Sequence, residues 1–252
     1  MDSSPTHTAA LRSSRSSQLR RIWLVLKHAS RVAFLPWPRY TFHDLATIQD
    51  AVDGPRFEQM AARMSLREEG LRILDEQPEL SMETMDWRYL SSLPTDTFGY
   101  SVWHHFYSHD LIENVDLGQS IFDWGECPEF VKARFRKTHD FRHVLFGLGI
   151  EGRDEVLVNV AQLSQDPLIL SMMISLIGGV KHAAPRPLLL LIGMRRAWRA
   201  GRKAEYLPSV LFEDYWEWPL RDLRAHLQVM PIGEAYPPRQ RHPDAIPCGE
   251  AA

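Results

Sequence analysis

Cysteine is nearly missing from this chain: Cys127 and Cys248 are the only two among 252 residues. Two thiols cannot build a secreted disulfide framework, so a reducing compartment is expected. Nor can they supply a four-thiolate metal site, and any metal must be held by histidine and carboxylate. Long apolar runs are also missing. The longest uncharged one, Pro167 to Val180, has fourteen residues, whereas a membrane span needs about 20. Pro187 to Met194 is shorter, and Lys181, His182 and Arg186 lie between the two. These segments read as buried core helices, or as a greasy tunnel or membrane-dipping surface for a lipid substrate. Clean strand alternation is scarce, and there is no internal repeat.

What is present is ordinary globular composition, 44% apolar and 24% charged, enough for one sizeable core. Charge is uneven. Residues 1–43 hold Arg12, Arg15, Arg20, Arg21, Lys27, Arg31 and Arg39 against Asp2, a net of +6, which leaves −9 for the other 209 residues. A basic, serine-rich start is compatible with a mitochondrial transit peptide. It equally fits an amphipathic segment on an anionic membrane, with Trp23 to Leu26 and Val32 to Leu35 as its apolar part, or a tail of no specific function. Lys27, His28 and Arg31 interrupt any secretory signal.

Helical periodicity dominates. Phe57, Met60, Ala61, Met64, Leu71 and Leu74 recur at helical spacing, with Gly70 as a weak point and Pro78 as a stop. Further helices are expected over 97–111, 129–146, 155–165, 168–177 and 188–201, with Gly201 as a C-terminal stop. A last helix carries Leu211, Tyr215, Trp218, Leu223 and Leu227 on one face. The expectation is all-α: a basic N-terminal segment (1–44), a single compact multi-helix domain (45–230) and an irregular proline-rich tail (231–252).

One hexapeptide could carry chemistry. Thr138-His139-Asp140-Phe141-Arg142-His143 falls inside an expected helix, so His139 and His143, four apart, point the same way as adjacent ligands of one metal must. Asp140 is turned about 100° from His139 and reaches the same ion only from its edge, or else supports a histidine. Glu155 lies too far along a continuous helix, but Gly147, Gly149 and Gly152 permit a reversal, and a helix beginning near Asp154 would return it to the histidines. Two nitrogens and up to two carboxylates suit zinc, iron or manganese. A His-x-x-x-His pair also occurs for purely structural reasons. The H-E-x-x-H motif is missing, because Asp140 follows His139 directly. Metal phosphohydrolases of the HD type need a further histidine and a distant aspartate. His104, His105 and Asp214 exist, yet nothing local supports them.

The run Arg134-Phe135-Arg136-Lys137-Thr138-His139-Asp140-x-x-His143-x-x-x-Gly147, followed by Glu155, resembles the metal motif of the Coq-four family of ubiquinone (coenzyme Q) biosynthesis proteins. Leu93-Pro94 with Gly99-Tyr100 resembles its aromatic helix entry. Gly201-Arg202-x-Ala204 and Glu213-x-x-Trp216-Glu217-x-x-Leu220-x-x-Leu223-Arg224-x-x-Leu227 resemble its closing helix. The match runs from Leu93 to Leu227 and leaves residues 1–85 without a counterpart. Asp154 stands where the family has glycine, and Asn159 where it has lysine.

The resemblance implies a peripheral membrane protein that binds polyprenylated ring intermediates, with a divalent metal, usually zinc, on His139, Asp140, His143 and Glu155. It also implies removal of the carboxyl group from a prenylated hydroxybenzoate, with or without hydroxylation at that carbon. The alternative is a scaffold that organises the other ubiquinone biosynthesis proteins. A homodimer is compatible with either. The location implied is the cytoplasmic face of a bacterial inner membrane, favoured by Asp2, or the matrix side of the mitochondrial inner membrane. A long isoprenoid tail needs an apolar channel, and Leu168 to Val180, with Met172, Met173 and Gly178-Gly179, is the expected wall. Arg195, Arg196, Arg199, Arg202 and Lys203 could suggest nucleic acid, but the acidic remainder of the chain argues against it, and lipid headgroups suit them better.

Overall fold

The computed structural model describes residues 15–35, 42–81, 83–109, 111 and 121–236. The proline-rich tail beyond 236 and the first fourteen residues lie outside that range. The described residues are all-α: they contain no strand, only an isolated bridge between Thr97 and Pro219. Two compact units hold them, the first within Met1–Val52 and Asp116–Phe122, the second within Asp53–Val115 and Asp123–Ala252.

The first unit is a helix pair, α1 (Arg15–Phe34) and α2 (Phe42–Val52). The buried Asp44 carboxylate links the two, 2.6 Å from His28 Nδ1 and accepting from Arg31 Nε at 2.9 Å. Asp50 accepts from the Phe122 amide, and the Arg21 guanidinium lies over the Phe122 ring. Leu19, Ile22, Trp23 and Leu26, spaced as one helical stripe, are exposed.

The second unit begins with α3 (Gly54–Met64) and α4 (Glu68–Glu76), where periodicity had suggested one helix. The chain turns at 65–67, and Gly70 lets α4 cross the Met64 carbonyl closely. After α5 (Trp87–Ser92), α6 (Phe98–Ser108) is capped by Thr97, whose hydroxyl accepts from the Tyr100 amide. The expected 129–146 helix is two helices, α7 (Glu126–Lys137) and α8 (His139–Phe146), parted at Thr138. Thr138 Oγ1 donates to the Arg134 carbonyl, and with Thr138 as the boundary His139 opens a helix instead of lying mid-helix.

Next come α9 (Gly152–Gln165), α10 (Ile169–Met173), a π-helical stretch (Ile174–Gly178), α11 (Gly179–Lys181) and α12 (Pro187–Lys203). Gly201 does not stop α12. A Cβ there would come 2.3 Å from the Ala161 carbonyl oxygen, so glycine lets α12 close against α9. The expected final helix is broken by Pro219 into a 3-10 turn (Phe212–Tyr215) and α13 (Leu220–His226).

The core behind α8 is aromatic: Phe98 stacks on Trp216 at 5.3 Å, and Phe141 sets its edge against Phe212 and Trp216. Phe57, Met60, Ile73, Val131, Phe135 and Leu168 form a neighbouring cluster. The most apolar segments are not buried as expected. Ser171 and Ser175 face inward while Met172, Leu176 and Val180 are exposed, and of Leu188 to Ile192 only Leu190 is buried. Leu168, Leu170 and Leu190 keep to the core, and the other apolar faces of these segments lie at the surface.

Candidate metal centre

Two helix ends make the centre. Gly147 ends α8 in the left-handed region, φ 71°, which glycine adopts without steric cost. Its amide and that of Leu148 return to the Val144 and His143 carbonyls. Five residues later α9 begins, with Glu155 in its first turn. The glycine-rich turn thus returns Glu155 to the face of α8 that carries His139 and His143.

The donors converge. His139 Nε2 and His143 Nε2 are 3.1 Å apart, and each lies 3.3 Å from an oxygen of Glu155. Metal–ligand bonds near 2.0–2.1 Å at a tetrahedral angle place neighbouring donors about 3.3 Å apart, so the set already has the spacing of a coordination shell. His143 is fully buried and its Nδ1 meets the Gly149 carbonyl at 2.7 Å, which puts the proton on Nδ1 and frees Nε2. His139 Nδ1 lies 2.9 Å from the Gln162 amide. Rotated by 180°, that amide offers its oxygen to an Nδ1–H. Glu155 and His139 side chains keep 40% and 26% of their surface exposed, so the donors are reached from one side.

The electrostatics are those of donors pressed together. Burial pushes His143 down, but the Glu155 charge and hydrogen bond, with Asp140 and the Gly149 carbonyl, outweigh it and carry the imidazole up to about 9. Burial would raise Glu155, yet His143 and His139 hold it well below the usual carboxylate range. A divalent cation would replace the proton shared by this cluster.

Asp140 is placed differently from the other three expected ligands. His139, His143 and Glu155 form the group whose ligand atoms lie within 4.8 Å of one another. The Asp140 carboxylate meets His105 Nε2 at 3.2 Å, and His105 Nδ1 meets the Tyr236 hydroxyl at 2.8 Å. Burial opposes ionisation of Asp140, but the His105 hydrogen bond and the nearby imidazoles keep its pKa below the ordinary value. His105, Gln162 and Tyr236 support the site without a sequence signal of their own: their partners are 35, 23 and 131 residues away. Asp154 is pushed up by burial, and Asn159 Nδ2 donates to the Glu155 carbonyl at 2.9 Å.

Fold and site together define an all-α protein with a two-histidine, one-carboxylate centre at the meeting of two helix ends. The family model described as Coenzyme Q (ubiquinone) biosynthesis protein Coq4 matches residues 15–233, and the chain belongs to that family of ubiquinone biosynthesis proteins. The match extends well upstream of the Leu93 block. Among curated relatives, the mitochondrial ubiquinone biosynthesis protein COQ4 homolog of Bos taurus is 28% identical over 217 residues, covering 85% of this chain and 80% of its own. The Aedes aegypti homolog, also named mitochondrial, is 26% identical, covering 84% and 77%. A Nostoc punctiforme crystal structure, of a protein named for ubiquinone biosynthesis, shares the fold with a TM-score of 0.63 at 18% identity, covering 82% of this chain and 95% of that one. Among the described residues, no helix is long and apolar enough to cross a membrane.

Proposed function

We propose that the chain removes the carboxyl group of a polyprenylated hydroxybenzoate at a membrane surface, with a divalent metal, zinc in the first instance, on His139, His143 and Glu155. The carrying observation is the convergence of these three donors at coordination spacing with one side open. A closed structural site would surround its ion with four protein ligands, whereas an open position is what a substrate carboxylate requires. Iron or manganese suits the same donor types.

When bound, the ion supplies Lewis-acid attraction for the substrate's carboxylate and adjacent phenolic oxygen. The chain's own groups do the rest. His143, fixed by the Gly149 carbonyl, and His139, fixed by Gln162, hold the donor geometry. The ring–carboxyl bond breaks, carbon dioxide leaves, and the electron pair stays on the ring carbon, which then takes a proton. The Asp140 carboxylate, kept ionised by His105 Nε2–H and backed through that ring by the Tyr236 hydroxyl, would take up a proton only in passing and hand it to that carbon. The other biosynthesis proteins act before and after this step as partners.

The test is carboxyl-label release from a labelled prenylated hydroxybenzoate by protein of known metal content, beside Glu155→Ala. Release by the wild type alone supports the reading, and the ring product separates protonation from hydroxylation. No release with metal and lipid both bound shifts the assignment to a non-catalytic scaffold.

A further inference from the structure

Seven large apolar side chains are exposed within twenty-one residues. Met172 (44%), Leu176 (62%) and Val180 (81%) recur every four residues on one face of the α10–α11 segment. Leu188 (68%), Leu189 (55%), Leu191 (61%) and Ile192 (47%) crowd the first turns of α12. Isolated exposed apolar residues are unremarkable, but a contiguous set marks an interaction surface.

Charge identifies the partner. From 167 to 204 the chain has no acidic residue and seven cations: Lys181, Arg186, Arg195, Arg196, Arg199, Arg202 and Lys203. On α12 the exposed stripe through Leu188 and Ile192 continues into Arg195, Arg196 and Arg199, which are also exposed. At 1.5 Å per residue, Arg195 and Arg196 stand about 10–12 Å along the axis from Leu188. With the first, apolar turns of α12 entering the headgroup–acyl boundary, where interfacial apolar residues bury about 5–10 Å, this axial rise leaves the arginines on the water side of the apolar turns, within reach of the lipid phosphates, with Trp198 (45% exposed) beside them. A second copy of the chain is a poorer partner, because a two-fold contact would set this all-cationic surface against itself.

We propose that the α11–α12 turn, with the exposed faces running into it, docks the chain on an anionic bilayer. The turn is fixed to the metal centre's own helix. Arg153, in the same first turn of α9 as Glu155, donates from Nε to the His182 carbonyl at 3.0 Å and from Nη2 to the Ala184 carbonyl at 2.9 Å. Docking therefore brings the start of α9 to the lipid surface. The docking rests on the residues just named; only its use in delivering a prenylated substrate rests on the function proposed above.

The full chain would be sedimented with phosphatidylcholine vesicles, with and without phosphatidylglycerol. Leu188→Asp/Leu191→Asp lowers partitioning by about tenfold or more, from the lost burial of two leucines. Arg195→Gln/Arg196→Gln, on the exposed face and with little risk to folding, lowers it on phosphatidylglycerol vesicles only and flattens the salt dependence. Unchanged partitioning in both variants overturns the proposal. So does loss confined to Ile22→Asp/Leu26→Asp on α1, or a dimer that Leu188→Asp/Leu191→Asp dissociates without altering vesicle binding. Label release from a short-tailed, water-soluble substrate persists in the docking variants and is lost in Glu155→Ala. If the wild type releases no label, the catalytic reading fails while vesicle binding still reports on docking.

Discussion

His105 Nε2 lies 3.2 Å from Asp140 Oδ1 while its Nδ1 meets the Tyr236 hydroxyl, so a fully buried imidazole connects α8, the helix that carries His139 and His143, to residues beyond α13. Burial lowers the pKa of His105 and favours the neutral ring, which donates from one nitrogen and accepts at the other.

Tyr236→Phe removes the hydrogen bond to His105 and the longer contact, 3.5 Å, with His109 Nε2, and is expected to cost about 1 kcal/mol in stability. His105→Ala, which also frees Asp140, is expected to reduce label release more strongly. Both variants retain the metal, since neither residue is among the three converging donors. Metal analysis beside single-turnover label release checks this, and a metal-free His105→Ala protein would show that the contact holds the centre together.

Gln162→Ala leaves His139 free to rotate. Loss of such a supporting partner typically weakens metal affinity by about 10–100-fold, measurable by competition with a chromogenic chelator. Unchanged affinity would mean that packing alone orients the ring.

Metal-free protein should show a distinctive pH dependence. His143 is carried up to about 9, above its unfolded value of about 6.5. Its contribution to stability is therefore complete below about 6.5 and lost as pH rises through about 9. Glu155 is held below its ordinary value, so its contribution is present above an unfolded pKa of about 4.3 and lost at lower pH. The Tm of chelator-treated protein is expected to be highest at mildly acidic pH and to fall toward pH 9. Glu155→Gln should flatten that fall.

Gly147→Ala forces a side chain into the left-handed region, at a cost of about 1–2 kcal/mol. The new Cβ would also come 2.4 Å from the Gly233 carbonyl oxygen, so the loss in urea denaturation should exceed the backbone cost. Gly125→Ala, at φ 91° and ψ 161° with open space around it, meets no such clash, and its loss should come from the backbone alone, in a region that glycine almost exclusively occupies.

Much of the centre was legible because its causes are local. His139 and His143 are one turn apart, and Gly147 and Gly152 mark the end of one helix and the start of the next. The break at Thr138 was not legible, since threonine tolerates a helix and its bond to the Arg134 carbonyl needs no unusual neighbour. The outward face of Leu188 to Ile192 was only one of the readings open to the sequence, because apolar character does not say whether core or an outside partner covers it. His105 and Tyr236 were hidden because what makes them matter is each other, across 131 residues. The 3-10 turn before α13 followed from Pro219, but the apolar spacing around it outweighed that signal.

The carbonyls of Phe146 and Gly147 accept the amides of Ile232, Gly233 and Ala235, immediately before Tyr236 reaches His105. Composition would trim the domain at 230. A chain shortened there would retain all of His139, Asp140, His143 and Glu155, and yet α8 would lose the cover over its final turn. Low activity in such a fragment would then report a missing brace and not a missing ligand.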